Sequence, residues 1–515
     1  MNKIPAIIKI KKHHVLFALS CLILLLTVGC KASHFPTPIK TYHEGDNRVL
    51  VYDIDRDTRV DYEQVLFTEG GVQELRYDIN EDGTWDIIIE LAKQAHPKKI
   101  LIGLDGVPYS LMKELYDQGY FQIFRPPSRL FSVLPAITEM FLTEFLGVRY
   151  PSGYGLSYFS KTNNRLEGSL LHGDEIAIWD DIYDYISPIP DKGLFYMLPK
   201  TGTADVRALK RVIRRLYDKQ DFLMLHLDAT DSLCHKFGGE ELVALLKKFD
   251  LGLQEIYHEF QGNMEIILYS DHGNNLVESD RIAIEDFLTD QGFQMRSDGV
   301  YDQGDIYILA TGLINAAYLY THAETEPKIA ESLKGLDGVL FSMYHDENTD
   351  DVILVSEDGQ ATLSKDENFY RYTIEDGDPL ELEAIVKQLK SEGRMRADGF
   401  IEDADWLQKT ANHKYPDIIY LAYKAMTSLV VHKADVMVFL EDKWLCGSPA
   451  LNLWLRFKST HASPTAESVT GILMSTDQIL PEYVRAKDVL DIIGLRDMVN
   501  ERLREKNIEM KSIGE

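Results

Sequence analysis

Five short stretches between Ile100 and His461 each leave metal-ligand side chains at the end of an apolar run. They are Ile100–Asp105 (ILIGLD), Pro135–Thr138 (PAIT), Asp231–His235 (DSLCH), Ser270–Gly273 (SDHG) and Thr460–His461 (TH). Together they supply Asp105, Asp231, Asp271, His235, His272, His461 and the hydroxyl of Thr138. Imidazole and carboxylate donors in that number suit two zinc-like ions, with a hydroxyl between them as nucleophile. Singly, each stretch has a plainer reading. Asp105 before Gly106 is also a turn, and Thr138 before the helix-like Glu139–Phe145 is also an N-cap. His235 alone would be a satisfied core histidine, but Asp231 four residues earlier shares its helical face. SDHG after MEIILY is the most specific, because adjacent Asp271 and His272 diverge from a strand tip.

The elements that must position these residues follow an α/β pattern. Apolar, strand-like runs occur at Ile100–Leu104, Phe222–Leu227, Met264–Tyr269, Val436–Leu440 and Val469–Met474. Helical periodicity lies between some of them, at Asp205–Tyr217 and Leu242–Phe260. Continuous apolar strands alternating with helices imply a buried, mostly parallel central sheet flanked by helices. Ligands of such folds gather at the carboxyl ends of strands, where these motifs lie. The expected core spans residues 97–305 and 451–515. Between them, 306–450 changes character, with β-hairpins over Val339–Gln360 and helices over Pro379–Gly393 and Glu402–Asn412. It reads as an inserted α+β segment that covers or shapes the site.

The N-terminus has a different logic. Lys3, Lys9, Lys11 and Lys12 precede an apolar Val15–Val28, too short for a comfortable membrane span. Residues 1–29 read as an export signal. The sequence Thr27-Val-Gly-Cys30 resembles a bacterial lipobox, with Thr27 where Leu is usual, and implies diacylation of Cys30. The alternatives are a simple secretory signal or an uncleaved anchor. Lys31, rather than Asp, after the lipidated residue implies an outer-membrane address in a double-membrane cell. Residues 30–45 read as a tether. Residues 46–92 form an acidic β-hairpin repeat unit with two similar segments, Tyr52–Asp61 and Tyr77–Asp86. Asp53, Asp55, Asp57 and Asp61 in one copy, and Asp78, Asn80, Asp82 and Asp86 in the other, space oxygen ligands as in calcium loops. Gly83 supplies the sharp turn in the second copy, where the first has Thr58. Acidic turns without metal are the competing reading.

Composition bounds the partners. The chain has 515 residues, 54 basic and 82 acidic, for a net charge of −28. Loss of the four N-terminal lysines makes the remainder more negative still. Such a field disfavours DNA, RNA and anionic lipid as general partners. It is compatible with a phosphate ester, because bound divalent cations invert the local charge. After Cys30 only Cys234 and Cys446 remain, which is no disulfide framework, and two buried free thiols are expected.

Taken together, the five stretches resemble the alkaline phosphatase superfamily in its type I phosphodiesterase/nucleotide pyrophosphatase branch. Tyr150-Pro151, Gly155 and Gly238 add to the likeness. The resemblance implies one zinc site of Asp231, His235 and His461 and a second of Asp105, Asp271 and His272. It gives Thr138 the nucleophile's role at the second ion. Three positions depart from the pattern. Phe141 stands where that branch carries an Asn after the nucleophile, Ala462 where Gly follows the last His, and Cys234 where Gly precedes His235. The sulfatase C-x-P-x-R signature is absent, since the element reads Leu134-Pro135-Ala136-Ile137-Thr138. The implied activity is extracytoplasmic hydrolysis of phosphodiesters or phosphomonoesters by a lipid-anchored enzyme. Two alternatives stay open: a phosphoryl or headgroup transferase on the same fold, and a surface lipoprotein that binds without catalysis.

Overall fold

The computed structural model describes residues 35–91, 98–155, 157–168, 181–187, 198, 200–309, 313–447 and 456–511. The expected export signal and Cys30 lie outside these residues. Among the described residues no helix is long and apolar enough to cross a membrane.

A six-stranded sheet forms the centre, in the order Phe222–Leu227, Lys99–Leu104, Glu265–Ser270, Thr470–Ser475, Ser128–Phe131 and Tyr483–Arg485. Lys99–Leu104 pairs in parallel with both neighbours, and Tyr483–Arg485 is parallel to Ser128–Phe131. Thr470–Ser475 runs antiparallel to the strands on either side, so it is the single reversed strand. The sheet is buried on both faces, which explains why its strands read as unbroken apolar runs. Ile100, Ile102, Leu104, Leu223 and Leu225 pack on one face with helices Lys200–Leu216 and Gly239–Glu259. Leu101, Met224, Ile267 and Tyr269 point the other way, toward helix Thr138–Leu146.

A second sheet has nine strands, in the order Gln294–Arg296, Asp305–Leu309, Ala316–Thr321, Val436–Leu440, Val339–Asp346, Asp351–Ser356, Gly359–Asp366, Phe369–Gly377 and Ile401–Glu402. Val436–Leu440, which the apolar pattern groups with the α/β core, instead lies inside this largely antiparallel sheet. A short buried apolar run suits a central strand of either kind, so the pattern does not choose between them. The helices expected in this region are Glu383–Ser391 and Asp403–Thr410.

The N-terminal unit is a five-stranded antiparallel sheet, Lys40–Glu44, Asn47–Tyr52, Tyr62–Leu66, Val72–Tyr77 and Ile87–Glu90. Its first strand, and the buried Phe35 packed tilted against Tyr52 and edge-on to Tyr62, occupy part of the stretch read as tether. The apolar side chain of Phe35 binds that segment to the body, and polar composition around Pro36 and Pro38 conceals this.

Candidate active site

Five of the six ligand residues are placed by a strand tip or by the helix that follows one. Asp105 follows strand Lys99–Leu104, and Asp271 and His272 follow Glu265–Ser270. Asp231 and His235 lie on helix Ala229–Phe237, which begins just past strand Phe222–Leu227. Their i,i+4 spacing brings His235 Nε2 to 3.0 Å from Asp231 Oδ2. His461 arrives from a loop before Thr470–Ser475, its ring 4.0 Å from that of His272 and 5.1 Å from that of His235. Asp105, Asp271 and His272 offer donor atoms within 4.8 Å of one another, and so do Asp231, His272 and His461. The structure thus brings all six side chains into one cluster, with His272 at its centre.

Thr138 is the first residue of helix Thr138–Leu146, with Ile137 at the N-cap position. Its hydroxyl does not cap the helix. It donates to Asp105 Oδ1 at 3.3 Å and lies 3.3 Å from His272 Nε2. The neighbouring hydroxyls are placed differently. Thr143 Oγ1 donates to the Glu139 carbonyl at 2.8 Å, and Ser132 is buried outside the motif.

The three imidazoles share one arrangement. Nδ1–H of His235 donates to the Ser459 carbonyl at 2.7 Å, that of His272 to Gly273 at 2.9 Å, and that of His461 to Ala136 at 2.7 Å. A carbonyl only accepts, so each ring carries its proton on Nδ1 and aims the lone pair of Nε2 into the cluster. This is the orientation a metal-ligating histidine needs. His461 is held well below its ordinary pKa by burial and by His272 beside it, which keeps it neutral. Burial opposes ionisation of Asp231, but His235, His461 and His272 together outweigh it and hold the carboxyl below its usual range.

The carboxylates are oriented as well. Asp271 is fully buried; its Oδ1 accepts from the Gly106 N–H at 3.2 Å, while Oδ2 has no hydrogen-bond partner. A bare carboxylate oxygen in a dry site is costly unless a cation meets it, so the donor set fits a divalent ion. Asn274 donates to Asp231 Oδ1 at 2.9 Å and to the Gly106 carbonyl at 2.8 Å. Gly106 has φ 65°, and a Cβ there would lie 2.5 Å from both Asp231 Oδ1 and Asn274 Nδ2. The Asp105-Gly106 pair is therefore required by crowding as well as by the turn. Cys234 points into the apolar core, where burial pushes its thiol up to about 12. It is a neutral packing residue, not a ligand. Cys446 is also buried and free.

Sequence reasoning passed over Asn274 and Ser459. Asn274 was readable as the second residue after His272. Ser459 serves through its carbonyl, which holds His235, and through its hydroxyl, which donates to Asn274 Oδ1 at 3.2 Å.

The acidic loops fold as two copies of one turn. Asp53 accepts from the N–H groups of Arg56, Asp57 and Thr58, and Asp78 from those of Asp82 and Gly83. Asp61 and Asp86 close the loops by accepting from Ile54 and Ile79. Asp55 and Asn80 accept from Asp57 and Asp82 in the same way. Thr58 and Gly83 have φ 81° and 86°. Asp53, Asp55 and Asp57 bring carboxylate oxygens within 4.8 Å of one another.

Residues 179–378 match the model of the family described as type I phosphodiesterase / nucleotide pyrophosphatase. That span holds Asp231, His235, Asp271 and His272, whereas Asp105, Thr138 and His461 lie outside it. No curated protein sequence matches the chain. Among solved structures, human ectonucleotide pyrophosphatase/phosphodiesterase 5 is 12% identical, with TM-score 0.43, covering 81% of this chain and 96% of that one. Phosphonoacetate hydrolase from Sinorhizobium meliloti, in complex with phosphonoformate, is 11% identical, with TM-score 0.43, covering 79% and 95%. The murine ectonucleotide pyrophosphatase/phosphodiesterase 5, in complex with AMP, is 10% identical, with TM-score 0.42, covering 81% and 96%.

Proposed function

We propose that this chain, which carries a type I phosphodiesterase/nucleotide pyrophosphatase domain of the alkaline phosphatase superfamily, is a zinc-dependent phosphohydrolase. It cleaves phosphodiesters or phosphomonoesters through a phospho-threonine at Thr138. The family's members are metal-dependent hydrolases of phosphate esters. The observation that carries the reading is the Thr138 hydroxyl, 3.3 Å from both Asp105 Oδ1 and His272 Nε2 within the ligand cluster.

Asp231, His235 and His461 would hold one ion, and Asp105, Asp271 and His272 the other. Bound there, divalent ions lower the pKa of a nearby hydroxyl and neutralise charge on attacking and leaving oxygens. Thr138 donates its proton toward Asp105 and attacks phosphorus, and the ester oxygen departs on the opposite side. The first-turn N–H groups of helix Thr138–Leu146 would be available to the phosphoryl oxygens. Water then attacks the phospho-threonine, releasing phosphate or a phosphomonoester and restoring the hydroxyl.

The deciding experiment quenches turnover of a nitrophenyl phosphate ester at low pH and maps covalently bound phosphate. Label on Thr138, with activity lost to chelation and restored by zinc, supports the reading. Full activity in metal-free protein, or label on Ser132 or Thr143, overturns it. A transferase would pass the label to an added alcohol in preference to water. Calcium in the two N-terminal loops belongs to the same proposal, supported by the converging oxygens of Asp53, Asp55 and Asp57. So does attachment to the bacterial cell envelope through Cys30, which rests on the lipobox-like sequence. Palmitate labelling that persists in Cys30→Ser would refute the anchor.

A further inference from the structure

The segments that carry the ligands meet at two residues that are not ligands, Asn274 and Ser459, both 0% exposed. Asn274 lies two residues after His272, just past the tip of strand Glu265–Ser270. Ser459 lies two residues before His461, in the loop that leads to Thr470–Ser475. The Asn274 amide donates one proton to Asp231 Oδ1 at 2.9 Å and the other to the Gly106 carbonyl at 2.8 Å. Its oxygen accepts from the Ser459 hydroxyl at 3.2 Å, and that hydroxyl accepts from the Leu276 N–H at 2.9 Å. The Ser459 carbonyl in turn takes the Nδ1 proton of His235 at 2.7 Å. A carboxylate and a carbonyl only accept, so the amide has one workable orientation, and a buried network satisfied in one way holds its members rigidly.

This pair acts on one ligand set more than on the other. Asp231 and His235 share helix Ala229–Phe237, and each is gripped by a different member of the pair. With Oδ1 taken by Asn274, the Asp231 oxygen turned to the cluster is Oδ2, 3.0 Å from His235 Nε2. Among the described residues no other hydrogen-bond donor reaches Oδ1. The turn that carries Asp105 is held independently. The N–H groups of Asp105, Gly106 and Val107 donate to the Leu227 carbonyl at 3.2 Å, to Asp271 Oδ1 at 3.2 Å and to Ser270 Oγ at 2.8 Å. Removing the amide would therefore free Asp231 to rotate while Asp105 and Asp271 keep their supports.

We propose that Asn274, braced by Ser459, sets the affinity of the Asp231–His235–His461 group for its ion by fixing which oxygen of Asp231 turns to the cluster. Asn274 touches neither substrate nor ion, so it is a positioning residue. The inference rests on the zinc reading of the cluster.

The test is zinc titration of the metal-free full chain against a chromophoric chelator, for wild type, Asn274→Ala, Ser459→Ala and the double variant. Wild type should bind two ions. Asn274→Ala should weaken one of the two by roughly 10- to 100-fold and leave the other near wild type, as loss of an outer partner commonly does. Ser459→Ala keeps the carbonyl on His235 and should fall at the low end of that range, about tenfold. The double variant should bind no worse than Asn274→Ala, because the hydroxyl acts through the amide. Anomalous diffraction at limiting zinc should show the lost peak among Asp231, His235 and His461. Unchanged constants, equal weakening of both ions, additive losses in the double variant, or a lost peak at Asp105, Asp271 and His272 would each overturn the inference. Ser459→Ala decides alone if Asn274→Ala does not fold. A wild type that takes up no zinc overturns this inference and the proposed function together. Two bound ions without turnover of a phosphate ester overturn the function and leave this inference standing.

Discussion

The molecule gathers carboxylates in two places and treats them in opposite ways. In the N-terminal loops Asp53 and Asp78 accept from their own loop backbone, and most of the acidic side chains stay in water. In the core cluster the local bonds are spent on orientation: carbonyls take the Nδ1 protons of His235, His272 and His461, while Asp271 Oδ2 is left bare. A loop that satisfies itself folds with or without an ion. A cluster whose lone pairs are kept pointing inward depends on one. Metal removal should therefore cost the loops a little stability and the core its chemistry.

The sharpest break of that contrast is a pair of substitutions. Thr138→Ala should keep the fold and the bound metal yet lower turnover on the order of 10³-fold or more, as removal of a nucleophile commonly does. Asp82→Ala, in the exposed loop, should leave turnover within about twofold. Steady-state kinetics with a nitrophenyl ester, alongside metal analysis, reads both. An active Thr138→Ala enzyme would mean the hydroxyl is misassigned.

Asp250 is a third treatment of a carboxylate, buried with no counter-charge beside it among the described residues. Burial pushes it up to about 7, against the weaker downward pull of the Gln254 amide and the Phe121 backbone. Below about pH 4 both folded and unfolded chains are protonated there, so Asp250 contributes no pH dependence. From pH 4 to 7 the unfolded chain loses the proton while the folded one keeps it, so stability falls as pH rises and levels off above 7. Asp250→Asn retains an acceptor for Gln254 Nε2 and removes that fall. The variant should match wild type near pH 4 and exceed it at pH 8, by at most about 4 kcal/mol for a shift of this size. Urea unfolding at the two pH values tests this. A variant equally less stable at both would show that the carboxylate is not the cost.

Calcium acts on the other member of the comparison. At ten times its dissociation constant, an ion bound only by the folded loops adds about 1.4 kcal/mol. Millimolar calcium, the range of extracellular modules, should raise the melting temperature of wild type by a few degrees and that of Asp55→Ala by less. Turnover should not change. No shift at 10 mM, taken as roughly the upper end of useful affinity, would make the loops plain acidic turns.

The contrast also explains what was readable in the sequence. Asp105, Asp231, His235, Asp271 and His272 follow apolar runs at strand tips, so local pattern alone exposes them. Ser459 supports the same cluster, and only its bonds to His235 and Asn274 in space give it meaning. Strand direction was hidden for a similar reason. The run Thr470–Ser475 is as apolar as its neighbours, and nothing in burial on both faces encodes that it runs backwards. Likewise Val436–Leu440 carries no mark of the sheet it joins, because its partners are fixed by distant strands.

The smallest expected effects compare the two regions at one backbone conformation. Thr58 in the first acidic loop and Ala462 beside His461 both have positive φ, at 81° and 86°, where glycine is favoured. The second loop already has Gly83 at the position of Thr58. Left-handed backbone costs a side-chain-bearing residue roughly 1–2 kcal/mol, while glycine costs about 0.5–1 kcal/mol in chain entropy. Thr58 is exposed, so Thr58→Gly sacrifices no buried surface and should stabilise by about 0.5–1 kcal/mol. Ala462 is fully buried in the apolar core. Ala462→Gly gains the same relief but loses a buried methyl, about 0.8 kcal/mol, and should come out near zero. Turnover should be unchanged in both, since neither moves a donor atom. Thermal melts of the two variants beside wild type measure the difference directly. A larger gain at Ala462 than at Thr58 would show that strain is concentrated beside the metal cluster rather than shared equally with the loop.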